Sequence, residues 1–472
     1  MTPFETAASE SLSPAEVAGL ARRVAGPVVL PGDAGFEAEC ATFNLLTAVR
    51  PAVAVGATSV ADVREVVRFA ADRDLPIAVL ATGHQVVNPA RGAVLLTLSR
   101  MDAVEVDPVA GVARVEGGAR WDRVLEEAGR FGLAGASGAS TTVGVVGYHL
   151  GGGQSPVLGR KYGYAADHVR SFGLVTADGA LREVRESSEP DLFWALRGGK
   201  GNFGVVTSME FALFPVKTFY GGGLFFAGTH AATVLHTWRE WVTSLPVEMT
   251  SSIAFLRRPP LPSVPEPLRG TFVVHLRFSS LGTAVDAEAV LAPLRALAPT
   301  VLDTIDETPY REAEHLHLDP PVPVPWVERS TALRSFPAEA ADVLLAALGP
   351  DSGTALGFTE LRALGGALAE EPAVPSAVAG RSARWAVVGS GAGSPDRVPE
   401  FRAQLASLVE ALAPWAQDEL NANLLTAAQG TTPAEVRAAY GAERYDRLAE
   451  LKRRYDPHNL FRVNHNIAPA PR

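Results

Sequence analysis

Two stretches carry residue types that could do chemistry. The first is Gly138–Asp167, which opens with small residues, passes Val143, Val145 and Val146, and reaches three consecutive glycines at 151–153. Glycines set that densely among β-branched residues mean backbone pressed against something flat or charged, where any Cβ would collide. The free N–H groups of such a turn make an anion cradle, so a phosphate or a ring system is the expected occupant, with a plain Gly-rich turn as the alternative. The second stretch is ATGHQVV, residues 81–87, directly after the apolar run Ile77–Leu80. His84 on a tight turn at a strand end could present a nucleophilic imidazole to a ligand; a surface histidine in a loop is the commoner reading. Within 138–167 the spacing is wrong for a dinucleotide GxGxxG opening a helix and for GxxxxGK[ST]. His315 and His317 would share one face of a strand, but two histidines without a third ligand make a poor metal site.

The elements that must position these residues follow from capping and periodicity. Ser13-Pro14-Ala15-Glu16 starts a helix that runs to Val24. Strand 51–55, a cap at Thr58 or Ser59, helix Ala61–Arg73 with Val63, Val66, Val67 and Ala70 on one face, and strand Ile77–Leu80 form a βαβ unit ending at His84. Strands at Leu95–Leu98 and Gly111–Glu116 and a helix at Trp121–Ala128 lead into the glycine stretch. Strands Ser171–Thr176 and Leu181–Val184 bracket the Asp178-Gly179 turn. A short helix at Asp191–Arg197 precedes GGKGNFGVVTSMEF. From Lys217 the character changes: strands such as Ser252–Phe255 and Thr271–Phe278 alternate with helices at Ala231–Val242 and Ala284–Leu297, predicting an antiparallel sheet backed by helices. Pro320–Pro325 reads as a rigid extended segment. A helix from about Glu443 is broken by Asp456-Pro457.

Composition narrows the function classes. A chain of 472 residues exceeds one comfortable core and predicts two domains, or an interrupted domain plus a second. With 52 acidic against 42 basic residues the net charge is −10, which argues against a nucleic-acid partner. The single Cys40 leaves no internal disulfide and no cysteine-rich metal site. The first 24 residues carry acidic side chains and no apolar core, so no secretory leader is expected. No run approaches 18 uncharged apolar residues, so no membrane span is expected either. A cytoplasmic enzyme is the expectation.

The glycine stretch resembles the flavin-domain signature of the berberine bridge enzyme-like oxidoreductases, within the vanillyl-alcohol oxidase superfamily. Gly138, Thr142, Val143, Gly144, Gly147, Gly151, Gly152, Gly153, Arg160, Gly163 and Asp167 fall on that pattern, with one extra residue ahead of Arg160. Ser140 stands where the family has cysteine. ATGHQVV is similar to the family's first flavin loop, GGH after a strand. Residues 198–207 resemble its RG(G/A)GGNFGIVT run, with Lys200 at a usual glycine position. The ending KRRYDPHNLFRVNHNI matches at Lys452, Tyr455, Asp456, Pro457, Asn459, Phe461, Asn464, Asn466 and Ile467.

The resemblance implies a two-domain α+β, PCMH-type FAD-binding fold. Its flavin domain would be built from residues 1–216 and 431–472, and an antiparallel-sheet substrate domain, 217–430, would cover the flavin. It implies FAD contacts from Ala81, Thr82, Gly83, His84, Gln85 and Val86, and from Gly138, Ala139, Ser140, Thr142, Val143, Gly144, Gly147, Tyr148 and Gly151. Further contacts would come from Asp167, Gly201, Gly204, Val205, Val206, Asn464 and Asn466. In the family the loop histidine carries the flavin covalently, and His84 matches it. Serine is too weak a nucleophile to add the second link that a thiolate makes, so attachment through His84 alone is expected. Val143, at the position that gates O2, leaves room for it; a plain core strand residue is the other reading. Tyr148 would lie near flavin N1, where many relatives have histidine. Asn421 replaces the tyrosine of a Tyr-x-Asn motif whose hydroxyl can take the substrate proton. Glu360 and Tyr148 are then the candidate bases, with Glu360 desolvated over the flavin and its pKa raised, or else merely paired with Arg362. Oxidation of a small molecule, a secondary-metabolite intermediate, by hydride transfer to flavin with O2 as acceptor is the implied activity, by a monomer or homodimer. A flavin-dependent oxygenase or cyclase, or a drug-binding resistance flavoprotein, are the alternatives.

Overall fold

In the computed structural model, which describes residues 12–471, three short aliphatic runs, Val53–Gly56, Ile77–Leu80 and Val94–Thr97, lie side by side and parallel. Val94–Thr97 sits between the other two, and Val28–Val29 adds an antiparallel edge. Residues 1–11, half of the stretch expected to lack a leader, lie outside the described residues. The crossover helix is Val60–Ala71: Ser59 Oγ accepts from Asp62 N, and Val63, Val66, Val67 and Ala70 are buried against the sheet. The βαβ unit therefore forms, with a third strand inserted between its two strands.

Among the described residues a second sheet has five antiparallel strands, in the order Val104–Asp107, Val112–Glu116, Val205–Ala212, Val169–Val175, Leu181–Val184. Helix Trp121–Gly129 packs on it with Trp121, Val124 and Leu125 buried. A third sheet, built from residues 218–417, has nine strands, all paired antiparallel. Side chains alternate along its strands, so the two faces differ in kind. Leu224, Phe226, Ile253, Phe255, Val274, Leu276, Leu361 and Val387 face helices Ala231–Trp241, Ala284–Arg295, Ala338–Leu348 and Val398–Ala411 in one apolar core. The opposite face brings His275, Arg277, Ser252, Glu360, Arg362 and Glu328 onto one side by register.

Three local expectations change. Val143 occupies the turn ahead of helix Val145–Leu150 and not a core strand. His315 and His317 fall in the helical turn Tyr310–Leu316 and just past it, His315 exposed and His317 buried, so they do not share a face. The proline-rich segment is anchored: Val324 pairs with Asn44, whose side-chain amide donates to Trp326 O at 2.9 Å.

Helix Ala442–Tyr455 returns the chain end to the first half of the fold. Lys452, fully buried, donates to Asn202 O at 2.6 Å, Asp456 Oδ2 at 2.6 Å and Phe461 O at 3.0 Å. Asp456 accepts from the N–H groups of Leu460 and Phe461, turning the chain so that both side chains join the core around Val53 and Ile77. Burial pulls the Lys452 amine down to about 8, against the opposing pull of Asp456. Asp456→Ala should therefore cost about 3–5 kcal/mol, because it strands a buried cation, and a thermal melt should fall by several degrees. The double change Lys452→Met/Asp456→Leu should recover part of that loss, which a lost hydrogen-bond acceptor alone would not allow.

Candidate functional site

The first two sheets and the polar face of the third border a cavity of about 530 Å³, open to solvent. That lies within the roughly 300–1,000 Å³ of a small-molecule or cofactor site. Its walls come from four places. The loop after Ile77–Leu80 supplies Ala81 through Val86, and the glycine stretch supplies Gly138, Ala139, Ser140, Val143, Gly144, Gly147 and Tyr148. Lys200, Gly201, Gly204 and Val206 form a third wall with Asn464 of the chain end, and the large sheet contributes Trp326, Glu328, Arg362 and Val388. Asn421 and Asn423 close one corner.

His84 is placed by its loop. Gly83 takes φ +68°, and a Cβ there would meet Thr42 Cα at 2.8 Å, so only glycine lets the 42–44 segment lie against the turn. Phe43 then stacks on the His84 ring at 4.0 Å between centroids. Thr82 Oγ1 contacts Nδ1 at 3.1 Å, Thr142 Oγ1 contacts Nε2 at 3.1 Å, and Ser140 Oγ lies 2.9 Å from Thr142 Oγ1. A chain of hydroxyls thus holds both ring nitrogens. Burial, with a smaller contribution from Arg120, lowers the imidazole pKa to about 4, so at neutral pH the ring is the uncharged nucleophilic form. Thr142 is brought to the site through His84 and not as a wall residue.

The triple glycine acts differently from the sequence expectation. A Cβ on Gly151 would meet Asn423 Oδ1 at 1.9 Å, one on Gly152 would meet Asn421 Nδ2 at 2.5 Å, and one on Gly153 would meet the Tyr148 ring at 2.5 Å. These glycines admit protein side chains rather than a ligand, and Gly151 is set back from the cavity surface. Among the cavity-wall glycines, those whose missing Cβ opens onto empty space are Gly147 and Gly201.

Other expected contacts also lie elsewhere. Asp167 is buried in an ion pair with Arg381 at 2.5 Å and accepts from Tyr164 N at 3.0 Å, joining residues 164–167 to 376–381, away from the cavity. Val205 alternates with Val206 and points into the core of the first sheet. Asn466 is not a wall residue, although its Oδ1 is buried without a partner.

Glu360 corrects a chemical expectation. It is fully buried, with Arg277 at 2.7 Å, His317 Nε2 at 3.2 Å, Ser252 Oγ at 2.7 Å and Arg362 Nε at 2.8 Å. Desolvation alone would raise its pKa, but Arg362, Arg277 and His317 outweigh it and hold the carboxyl well below the usual carboxylate range. Glu360 faces a smaller chamber of about 30 Å³ that shares Ala139, Gln154 and Arg362 with the main cavity. Tyr148, buried with its hydroxyl unpartnered, has its pKa pushed well above the ordinary value by desolvation and is a neutral phenol. Asn421 accepts from Asn423 N at 3.0 Å and leaves its Nδ2 buried and unpartnered.

Two wall residues escaped the sequence reading. Glu328, on strand Trp326–Leu333, has its carboxyl pKa raised by burial, with Trp326 and Arg362 opposing. Period-two alternation puts it on the same face as Arg362 and could have pointed to it once strand pairing was known. Lys200 was visible only as a departure from a glycine pattern.

The donor set fits a flavin dinucleotide. Tyr148 Oη and Asn421 Nδ2 belong to wall residues and need partners, Gly147 and Gly201 leave open space, and His84 lines the same wall. The comparisons agree. Residues 51–185 match the family described as "FAD binding domain", and residues 429–468 match "Berberine and berberine like". The chain is 30% identical to (R)-6-hydroxynicotine oxidase of Paenarthrobacter nicotinovorans, over 94% of this chain and 97% of that one. A crystal structure of 6-hydroxy-D-nicotine oxidase from Arthrobacter nicotinovorans superposes with TM-score 0.79 at 26% identity, covering 95% and 98% of the two chains. Xylooligosaccharide oxidase from Myceliophthora thermophila shares the fold, with TM-score 0.83 at 21% identity over 97% and 100%. This chain is an FAD-linked oxidase of the berberine bridge enzyme-like family, with the two-domain α+β PCMH-type fold.

Proposed function

We propose that the protein oxidises a small organic molecule, a secondary-metabolite intermediate, by hydride transfer to FAD held covalently through His84 alone, with O2 as final acceptor. The observation that carries this reading is the uncharged His84 ring, fixed by Thr82, Thr142 and Phe43 in the wall of a cofactor-sized cavity. Bound FAD supplies the two-electron acceptor and hands those electrons to O2, releasing H2O2. The chain's part is to hold the substrate carbon, take its proton and keep water out.

Glu328 is the group whose environment suits proton acceptance, since it is a cavity-wall carboxyl whose pKa burial raises against the opposing pull of Trp326 and Arg362. Glu360, bonded to Arg362 Nε at 2.8 Å, acts as a positioning residue for Arg362, while Tyr148 and Asn421 serve as hydrogen-bond donors. A hydrogen peroxide screen over aromatic and polyketide-like alcohols, amines and sugars identifies the substrate. Labelled oxygen from O2 appearing in the product would turn the assignment to an oxygenase, and flavin that no substrate bleaches anaerobically would turn it to a binding protein.

Acid-precipitated protein should stay yellow, with the flavin mass on the peptide containing His84; in His84→Ala the flavin should be released. An ordinary imidazole, with pKa about 6.5, would be about nine-tenths protonated at pH 5.5. Because His84 is held near 4, covalent incorporation into apoprotein should keep its rate from pH 8 down to 5.5 and fail only as pH approaches 4. A second link, or a rate falling with a midpoint near 6.5, would contradict this.

Val143 lines the cavity and leaves space that a leucine would fill. Stopped-flow mixing of reduced enzyme with O2 should be slower in Val143→Leu, with flavin still attached. Glu328→Gln should lower the anaerobic reduction rate by about a hundredfold or more. A Glu328→Gln enzyme reduced at the wild-type rate removes that residue from proton transfer.

A further inference from the structure

Lys200 is a buried amine with neutral partners. Its Nζ donates to Gln85 Oε1 at 2.8 Å and to Asn423 Oδ1 at 2.7 Å, and all three residues belong to the cavity wall. Both amides are locked with their oxygens towards it. Gln85 Nε2 is spent on Asn423 O and Leu425 O, each at 3.0 Å, and Asn423 Nδ2 on Tyr148 O at 2.8 Å. An ammonium has three donors, and two are used. Gly151 makes the arrangement possible, since a Cβ there would meet Asn423 Oδ1 at 1.9 Å and Lys200 Cε at 2.8 Å.

The backbone adds an independent observation. Lys200 has φ +57°, the left-handed region that glycine takes freely and a lysine takes with strain. Strain of this kind persists where the side chain is put to use. The titratable group facing Lys200 is His465, whose own ring is kept uncharged, pKa about 4, and whose Nε2 is engaged by Thr426 O and Gln429 O. No anion offsets the burial of the amine, which falls to about 7 from desolvation alone.

We propose that Lys200 is completed by the cofactor: its ammonium pairs with an anionic oxygen of bound FAD, either on the diphosphate or at the N1–C2=O edge of the reduced ring. The inference rests on FAD occupying this cavity, as the proposed function has it. Binding an anion raises the amine's pKa, so a lysine largely uncharged in apoprotein at pH 8 takes up a proton as the anion arrives. Affinity is then highest at low pH and is lost as pH rises through the bound-state value.

The test uses full-length His84→Ala protein, which binds FAD reversibly, with and without Lys200→Met or Lys200→Gly. Calorimetry at pH 8 in two buffers of different ionisation enthalpy should show uptake of about one proton per FAD, abolished in both lysine variants. The same uptake with ADP-ribose, which has the diphosphate and no ring, assigns the diphosphate. If oxidised FAD and ADP-ribose bind without proton uptake, a flavin midpoint potential that drops in Lys200→Met assigns the reduced ring. Lys200→Gly relieves the backbone and should melt no lower than its parent, which separates charge from folding. Tight FAD binding with no proton uptake and an unchanged midpoint potential in Lys200→Met overturns the inference while leaving the cofactor site standing. Failure of FAD to bind the His84→Ala protein at all, with wild type colourless, overturns the proposed function instead.

Discussion

A sheet face turned towards a cofactor has to be polar for recognition and dry for chemistry, and the nine-stranded sheet meets both demands with one carboxylate. Glu360 lies in the middle of the face, between Ala254 and Val388 on neighbouring strands, and takes ion pairs or hydrogen bonds from Arg277, His317, Ser252 and Arg362. Two guanidiniums against one carboxylate leave an excess of positive charge, and Arg362 reaches the main cavity wall. Clusters of this kind are satisfied together or not at all, because removing one member strands the others in a poor dielectric. The apolar face beneath, packed on four helices, keeps the strands in the register that brings these side chains together.

The opposite wall depends on the ends of the chain. Residues 42–45 lie between the His84 turn and the proline-rich segment, with Phe43 stacked on His84 and edge-on to Trp326 at 6.0 Å. The last helix holds the Lys200–Gly204 turn from behind, since Lys452 donates to Asn202 O and Asn464 donates to Gly201 O. Segments far apart in sequence thus set one loop each. Gly83 is the place where the chain gives up a side chain to let the 42–44 segment approach.

Much of the scaffold was legible in the sequence because it is local. Ser59 capping a helix with valines at 63, 66 and 67, and the switch to long alternating strands after Lys217, are period and capping signals that tertiary context did not override. The site was less legible. A glycine run says that a Cβ is intolerable without saying what it would strike, and at 151–153 it is Asn423, Asn421 and Tyr148. Glu360 and Glu328 share one sheet face, yet their carboxyls shift in opposite directions. The difference is made by Arg362, which bonds Glu360 directly, and by Arg277 and His317, both distant from Glu360 in sequence. Asp167 matched a family position but serves an ion pair with Arg381, 214 residues on.

The direction of these shifts describes the medium in which oxidation takes place. His84 is pushed down, Tyr148 and Glu328 are pushed up, and in each the largest cause is desolvation. All three are driven towards their neutral forms, so the cavity disfavours isolated charge of either sign. A reaction that removes a hydride from carbon creates positive charge there, and in this medium the charge must be cancelled by loss of a proton at nearly the same moment. A group that is neutral and therefore unable to accept that proton, such as Tyr148, is useful as a hydrogen-bond donor. Glu328 is the wall carboxyl whose pKa burial raises. Glu360, by contrast, is held ionised by three partners and would have to give up its ion pairs to bind a proton.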